Sequence, residues 1–307
     1  MQSIQYIDRA SAKIEKEAVY YEGGIHFLYG KTLFSRTLGR VFLHGLAKWP
    51  LTSWVFGKFQ QMKSSQKKIA PFIQLYGLDT SEFLDPVESF STFNEFFVRH
   101  LRPECRPIEK DENKAVIPAD ARYQFYDNIS NDYPFSVKGQ NFSLKTLLRD
   151  DKQAERFDGG SLIIARLCPT DCHRFYFPVD CVPGKAKLIN GKLFSVNPIA
   201  IKDNPWIYCV NRRSVTYLDS LQFGNVAFLE IGATSVGSIK QTYTPGEFQL
   251  KGAEKGYFSF GSALIMLFEK GSIQLDQDLL EGTKSGLEIR CLIGQSMGTS
   301  LKHTRNL

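Results

Sequence analysis

Imidazole is scarce in this chain: five histidines, His26, His44, His100, His173 and His303, occur among 307 residues. Acid–base chemistry near neutral pH therefore has few seats. Cysteine is sparse as well, and Cys105, Cys168, Cys172, Cys181, Cys209 and Cys291 form neither a CxxC pair nor a regular disulfide framework. That argues against a common structural zinc site and for a reducing compartment. No run approaches the roughly 20 apolar residues of a membrane span, and no N-terminal stretch has the basic, apolar, small-residue order of a secretory leader. The expectation is a protein kept on the cytoplasmic side. Repeats and low-complexity tracts are missing too.

What is present is an ordinary globular composition, 43% apolar and 23% charged, long enough for one large domain plus an appendage or for two domains. The net charge of +6 is unevenly placed. Residues 1–70 hold 11 Lys+Arg against 4 Asp+Glu, or +7, which leaves 27 against 28, or −1, for the rest. A basic N-terminal region points to an anionic surface, and since nothing beyond charge suggests nucleic acid, acidic lipid headgroups are the expected partner.

The same region spaces Leu33, Phe34, Leu38, Val41 and Phe42 as amphipathic helices do. Its stretch "LAKWPLTSWVFGKFQQMKSSQKK" interleaves Trp49, Trp54, Phe56 and Phe59 with lysines, which suits a helix in a membrane interface and equally a helical subdomain with a solvated basic face. In "STFNEFFVRHLRPECRPI", Ser91 or Thr92 caps a short helix with Phe93, Phe96, Phe97 and Leu101 on one side, ending before Pro103. Beyond Lys114 the texture changes to short apolar runs broken by Gly, Pro and Asn, among them "YQFYDNI", "GSLIIARL", "VAFLEIGA", "LIMLF" and "LEIRCLI". These predict strands. The fold class is α+β, with a helical, basic, membrane-associating region over 1–110 and a β-rich domain over 111–307.

Four of the histidines read as surface or packing residues. His173 differs, because "ARLCPTDCHRFYFPVDC" crowds Asp171, His173, Arg174 and Tyr176 between Pro169 and Pro178, as a site loop does. Cys168, Cys172, His173 and Cys181 match no common zinc spacing, so no metal is expected. Asp120, in "VIPADARYQFY", reads locally as a turn carboxylate. The run "GYFSFGSALIMLFEKG" is odd, because a buried strand would carry Gly261 and Ser262 at its centre, one weakening it and the other needing a hydrogen-bond partner.

In order along the chain, "FNEFFVRHLRPECRPI", "PADA", "PTDCHRFYFP", "GKLFSVNP", "NRRSV", "IGATSVGSI", "KGAEKGYFSFGSALIMLF" and "GLEIRCLIGQSMG" resemble the motifs of the phosphatidylserine decarboxylase family from about Phe90 to Gly298. The resemblance implies self-cleavage between Gly261 and Ser262. The Ser262 hydroxyl attacks the Gly261 carbonyl to give an ester, which glycine's missing Cβ leaves unobstructed. Elimination frees the Gly261 carboxylate and leaves dehydroalanine, whose hydrolysis releases ammonia and yields a pyruvoyl group on the small chain. This covalent cofactor forms a Schiff base with the substrate amine and accepts the electrons freed as carbon dioxide leaves. The implied substrate is phosphatidylserine in the membrane, converted to phosphatidylethanolamine by a peripheral protein of large and small chains; a homo-oligomer stays open.

The resemblance also assigns His173 as the acid that protonates the α-carbon, and Asp120 and Ser262 to a relay completed in the family by a second histidine. Here Tyr176 stands at that position, while Ala121 and Ala263 replace a glycine and a threonine. A phenol, with a pKa of about 10, is a poor base at neutral pH. Cleavage that is slow, that borrows His173 or that fails are all open, as are a non-cleaving lipid-binding homologue and a pyruvoyl decarboxylase of a soluble amino acid.

Overall fold

The computed structural model describes residues 3–18, 58–129, 135–137, 140–233, 239–259 and 263–302. Its strands are, in chain order, β1 (Ser3–Asp8), β2 (Lys13–Ala18), β3 (Lys114–Val116), β4 (Ala121–Tyr126), β5 (Phe135–Val137), β6 (Gln140–Phe142), β7 (Ser161–Arg166), β8 (Arg174–Tyr176) and β9 (Val182–Pro183). They continue with β10 (Lys187–Ile189), β11 (Arg213–Ser220), β12 (Gly224–Ile231), β13 (Ile239–Gln241), β14 (Glu254–Phe258), β15 (Ala263–Phe268), β16 (Ile273–Leu275), β17 (Glu288–Cys291) and β18 (Ser296–Ser300). The helices are short: α1 (Ile69–Tyr76), α2 (Phe93–Phe97), α3 (Leu144–Leu148), α4 (Asp151–Arg156), α5 (Pro198–Asp203), α6 (Ile207–Val210) and α7 (Gln277–Lys284). The chain is thus mixed α and β with a predominance of sheet.

The apolar runs become the middle of a ten-stranded sheet in the order β10-β11-β12-β15-β7-β4-β17-β1-β2, with β9 pairing β11. Every residue of β7 and of β15 is buried. Burial on both faces is why these strands read as continuous hydrophobic runs instead of alternating ones. A three-stranded sheet, β13-β14-β8, packs on one face. There the Phe175 ring lies 4.8 Å from that of Phe258 and 6.0 Å from that of Phe228 on β12.

One row of paired residues crosses the large sheet: Asp8, Arg290, Arg122, Arg166, Ala263, Ile231 and Arg213. Directly paired residues share a face, so Ala263, the residue after Ser262, has Arg166 and then Arg122 beside it. On the opposite face of the same strands lies Glu230 of β12, paired with Leu264.

The expected cap is Thr92, whose hydroxyl accepts from the Glu95 amide at 3.1 Å while the Glu95 carboxylate accepts from the Ser91 amide at 2.7 Å. The expectation of helices through residues 1–70 needs correction over Ser3–Ala18. These residues form an antiparallel hairpin, and β1 pairs in parallel with β17, which carries the β-rich sheet across the expected boundary at residue 110. The hairpin hides its nature because its inward face carries Asp8 and Glu17, buried against arginines of the sheet, so no apolar alternation marks it. Residues 19–57, including Trp49, Trp54 and Phe56, lie outside the described residues. Among the described residues no helix is long and apolar enough to cross a membrane.

Candidate active site

The chain leaves the small sheet at the end of β14 and enters the large one at Ala263. Gly261 and Ser262 lie outside the described residues, while the strands before and after them, β14 and β15, are described. The Phe258 amide donates to the His173 carbonyl at 2.9 Å, which sets His173 beside the last residue of β14. The Tyr176 amide donates to the Pro118 carbonyl at 2.9 Å, which sets Tyr176 two residues from Asp120. Two of the three site residues assigned by resemblance thus flank the strand before Ser262, and the third lies just ahead of β4. No hydrogen bond among the described residues links the Asp120, His173 and Tyr176 side chains to one another.

His173 is wholly buried, with its ring stacked on Phe97 at a centroid distance of 4.0 Å. Its Nε2 is 3.0 Å from the Cys168 carbonyl. A carbonyl only accepts, so Nε2 carries the proton and Nδ1 holds a lone pair. Nδ1 is buried and has no hydrogen-bond partner among the described residues. Burial pushes the imidazole down to about 3, with Arg99 adding to the fall and the Cys168 bond opposing it. The ring is therefore a neutral base with one free nitrogen.

Asp120 is not a solvated turn carboxylate. It is buried and clamped by Arg106, whose Nε reaches Oδ1 and Oδ2 at 3.0 and 2.9 Å and whose Nη2 reaches Oδ2 at 2.8 Å, while the Ile293 amide donates to Oδ1 at 2.9 Å. Arg106 also pairs with Glu82 at 2.9 Å, and these bonds keep it charged although its burial opposes that. Tyr176 pairs with Glu254 across a β-bulge at Lys255. Burial, then the nearby Cys172 and Glu254, raise its phenol well above the ordinary range, so it stays protonated. Its hydroxyl has no hydrogen-bond partner among the described residues. A protonated phenol of this kind can donate a hydrogen bond but cannot serve as a base.

Cys168 and Cys172 take separate partners, as Cys168 Sγ lies against Glu17 and Arg166 and Cys172 Sγ bonds the Arg99 carbonyl at 3.3 Å. Burial raises both thiols, which marks them as protonated.

Sequence reasoning missed the arginines. A cleft of about 510 Å³ is lined by Arg99, Arg106, Asp120, Arg122, Asp171 and Glu17, among others. Arg99 is buried under the Phe83 and Phe96 rings and donates to the Thr170 carbonyl at 2.9 Å, and its Nε has no partner among the described residues. Arg122 bonds Asp171 at 3.1 Å and Glu17 at 2.8 Å, and Arg166 bonds Glu17 at 2.8 Å and Glu288 at 2.6 Å. The available signal was an arginine inside an apolar run, in "ARYQFY" and "LIIARL", since such a residue needs a buried partner.

A buried neutral imidazole and a protonated phenol thus flank β14, near a cleft lined by arginines and carboxylates alike. The profile described as phosphatidylserine decarboxylase matches residues 93–299. A phosphatidylserine decarboxylase proenzyme of Chlamydia caviae is 46% identical over 303 residues, 98% of this chain and 100% of that one. Its counterpart in Chlamydia pneumoniae is 44% identical over 98% of both chains, and that of Clostridium botulinum is 40% identical over 97% of this chain and 99% of its own. The profile match over most of the chain and the full-length relatives lead to one conclusion: this chain belongs to the phosphatidylserine decarboxylase family.

Proposed function

We propose that this protein decarboxylates phosphatidylserine to phosphatidylethanolamine and carbon dioxide, using a pyruvoyl group made from Ser262 after cleavage at the Gly261–Ser262 bond. The observation that carries the reading is the free lone pair of His173 Nδ1, buried beside the end of β14. A buried polar atom of this kind needs a partner, and the Ser262 hydroxyl, four residues beyond the Phe258 that bonds the His173 carbonyl, is the one this reading assigns to it. Once formed, the pyruvoyl group supplies an electron sink for the electrons of the bond to the departing carboxyl group.

The chain's own residues do the rest. His173 Nδ1 takes the Ser262 proton during cleavage, in the place of the histidine that Tyr176 replaces. The Tyr176 hydroxyl donates a hydrogen bond to the oxygen that becomes negative as the Gly261 carbonyl is attacked. Asp120, clamped by Arg106, is a positioning residue that fixes the turn into β4 and, through the Ile293 amide, the chain after β17. During turnover His173 returns a proton to the substrate α-carbon. The basic region of residues 1–70 brings the protein to the anionic leaflet as a peripheral protein on the cytoplasmic face.

Purified protein mixed with vesicles containing phosphatidylserine should release carbon dioxide and form an equal amount of phosphatidylethanolamine, and Ser262→Ala should do neither. Vesicle binding without turnover by fully intact wild-type chain would favour the lipid-binding homologue. Turnover of free serine in preference to the lipid would favour the soluble-substrate reading.

A further inference from the structure

The Glu17 carboxylate reaches from the edge strand β2 into the row of arginines beside Ala263. One oxygen is 2.8 Å from Arg122 Nη2 and the other 2.8 Å from Arg166 Nη2, and the protonated Cys168 thiol lies 3.2 and 3.3 Å from the two. Each guanidinium already has a carboxylate of its own from elsewhere in the sheet or its loops, Asp171 for Arg122 and Glu288 for Arg166. Glu17 is thus the third acid on two cations. Without it the two pairs balance, and one singly charged oxyanion is what the remaining donors can take. The Arg122 Nε adds a buried donor with no partner among the described residues. Glu17, Arg122 and Asp171 all line the cleft that reaches Asp120.

We propose that Arg122, Arg166 and Cys168 form the subsite for an anionic group of the substrate headgroup, and that Glu17 occupies this subsite in the uncleaved chain as an internal stand-in. The idea rests on the phosphatidylserine reading for its ligand, whose serine headgroup offers two singly charged oxyanions, the phosphodiester and the carboxylate. Each presents a pair of anionic oxygens able to bridge two guanidinia. Binding therefore requires β2 to yield its carboxylate. Among the described residues β2 pairs with β1 alone, and a strand held on one side gives way more readily than a central one.

The test uses the full-length Ser262→Ala chain, so that binding is read without turnover. Calorimetry with soluble glycerophosphoserine should show binding about tenfold or more tighter when Glu17→Ala is added, because the internal competitor is gone. Adding Arg122→Gln should cancel that gain. Glycerophosphoethanolamine, which lacks the carboxylate, separates the two anions: an equal gain assigns the phosphodiester, and no gain assigns the carboxylate. Inorganic phosphate is the control for the function. If it gains affinity while neither glycerophospho compound binds, the subsite stands and the phosphatidylserine reading fails. A second measurement needs no change at Glu17. Saturating glycerophosphoserine should speed amide exchange in Lys13–Ala18, since the ligand displaces the strand's anchor. Unchanged affinity in Glu17→Ala, a gain that survives Arg122→Gln, or slower exchange in β2 on binding would overturn the proposal.

Discussion

Two buried ion groups sit on opposite faces of the large sheet, and they differ in one respect that matters. On the face against the small sheet, Lys255 and Glu230 are fully buried as a pair. Lys255 Nζ bonds Glu230, Thr216 Oγ1 at 3.0 Å and Gln241 Oε1 at 2.8 Å, with the Phe228 and Tyr243 rings about it at 4.9 and 5.0 Å. Burial lowers the ammonium even so. On the other face, Arg122 and Arg166 share three carboxylates, and burial of Glu17 is outweighed by Arg166 and Arg122, which hold it below the ordinary carboxylate range. The first group is one cation with one anion, sealed. The second has an acid to spare and opens on a cleft. Closed pairing serves the fold, whereas surplus pairing leaves a group that a ligand can replace.

The largest expected effect tests the closed pair. Lys255→Met strands Glu230 in the core, and urea unfolding should register a loss of about 3–5 kcal/mol. Replacing both, with Glu230→Leu added, should recover most of it; a double variant no better than the single one would mean that packing, not charge, is at stake.

A somewhat smaller effect concerns acid. His173 is held near 3 against an unfolded value of about 6.5, so its contribution is complete above pH 6.5 and is lost as the pH falls toward 3, because only the unfolded chain takes up the proton. His173→Gln should flatten the stability profile across that window. Glu17→Gln should leave the upper part of that window unchanged and remove the loss that sets in as the pH falls through the unfolded carboxylate value of 4.5, where only the unfolded chain's Glu17 takes up a proton.

The smallest effect belongs to the open group. Glu17→Gln should cost about 1 kcal/mol or less at neutral pH, since Arg122 keeps Asp171 and Arg166 keeps Glu288. A loss as large as that of Lys255→Met would erase the difference between the two faces.

The strands of the large sheet were legible because burial on both sides leaves β7 and β15 as plain apolar runs. The loop around His173 was legible for the opposite reason, a polar cluster trapped between prolines. What stayed hidden were charges whose partners are remote. Glu17 meets Arg166 across 149 residues, and a lysine one place before Gly256 gives no hint that a bulge turns it inward to Glu230. Asp120 reads locally as a turn carboxylate because its partner Arg106, 14 residues away, meets it only through the turn into β4. The β1–β2 hairpin escaped because its buried face is ionic. Hydrophobic patterning finds apolar cores, and ion pairs inside a sheet are written in no such pattern.

The central claim is that this chain makes its own cofactor although Tyr176 stands where the family has a histidine. Intact-mass analysis of the purified protein tests it most directly. Two chains are expected, the smaller being the 46 residues from Ser262 to Leu307 (307 − 262 + 1), with a pyruvoyl group in place of its first amino group. His173→Ala should slow their appearance by about 10²–10⁴-fold, and Tyr176→Phe, which removes the proposed oxyanion donor, by about 10²–10³-fold. A single chain of full mass in protein that turns over phosphatidylserine, or a small chain that begins with free serine, would contradict the account.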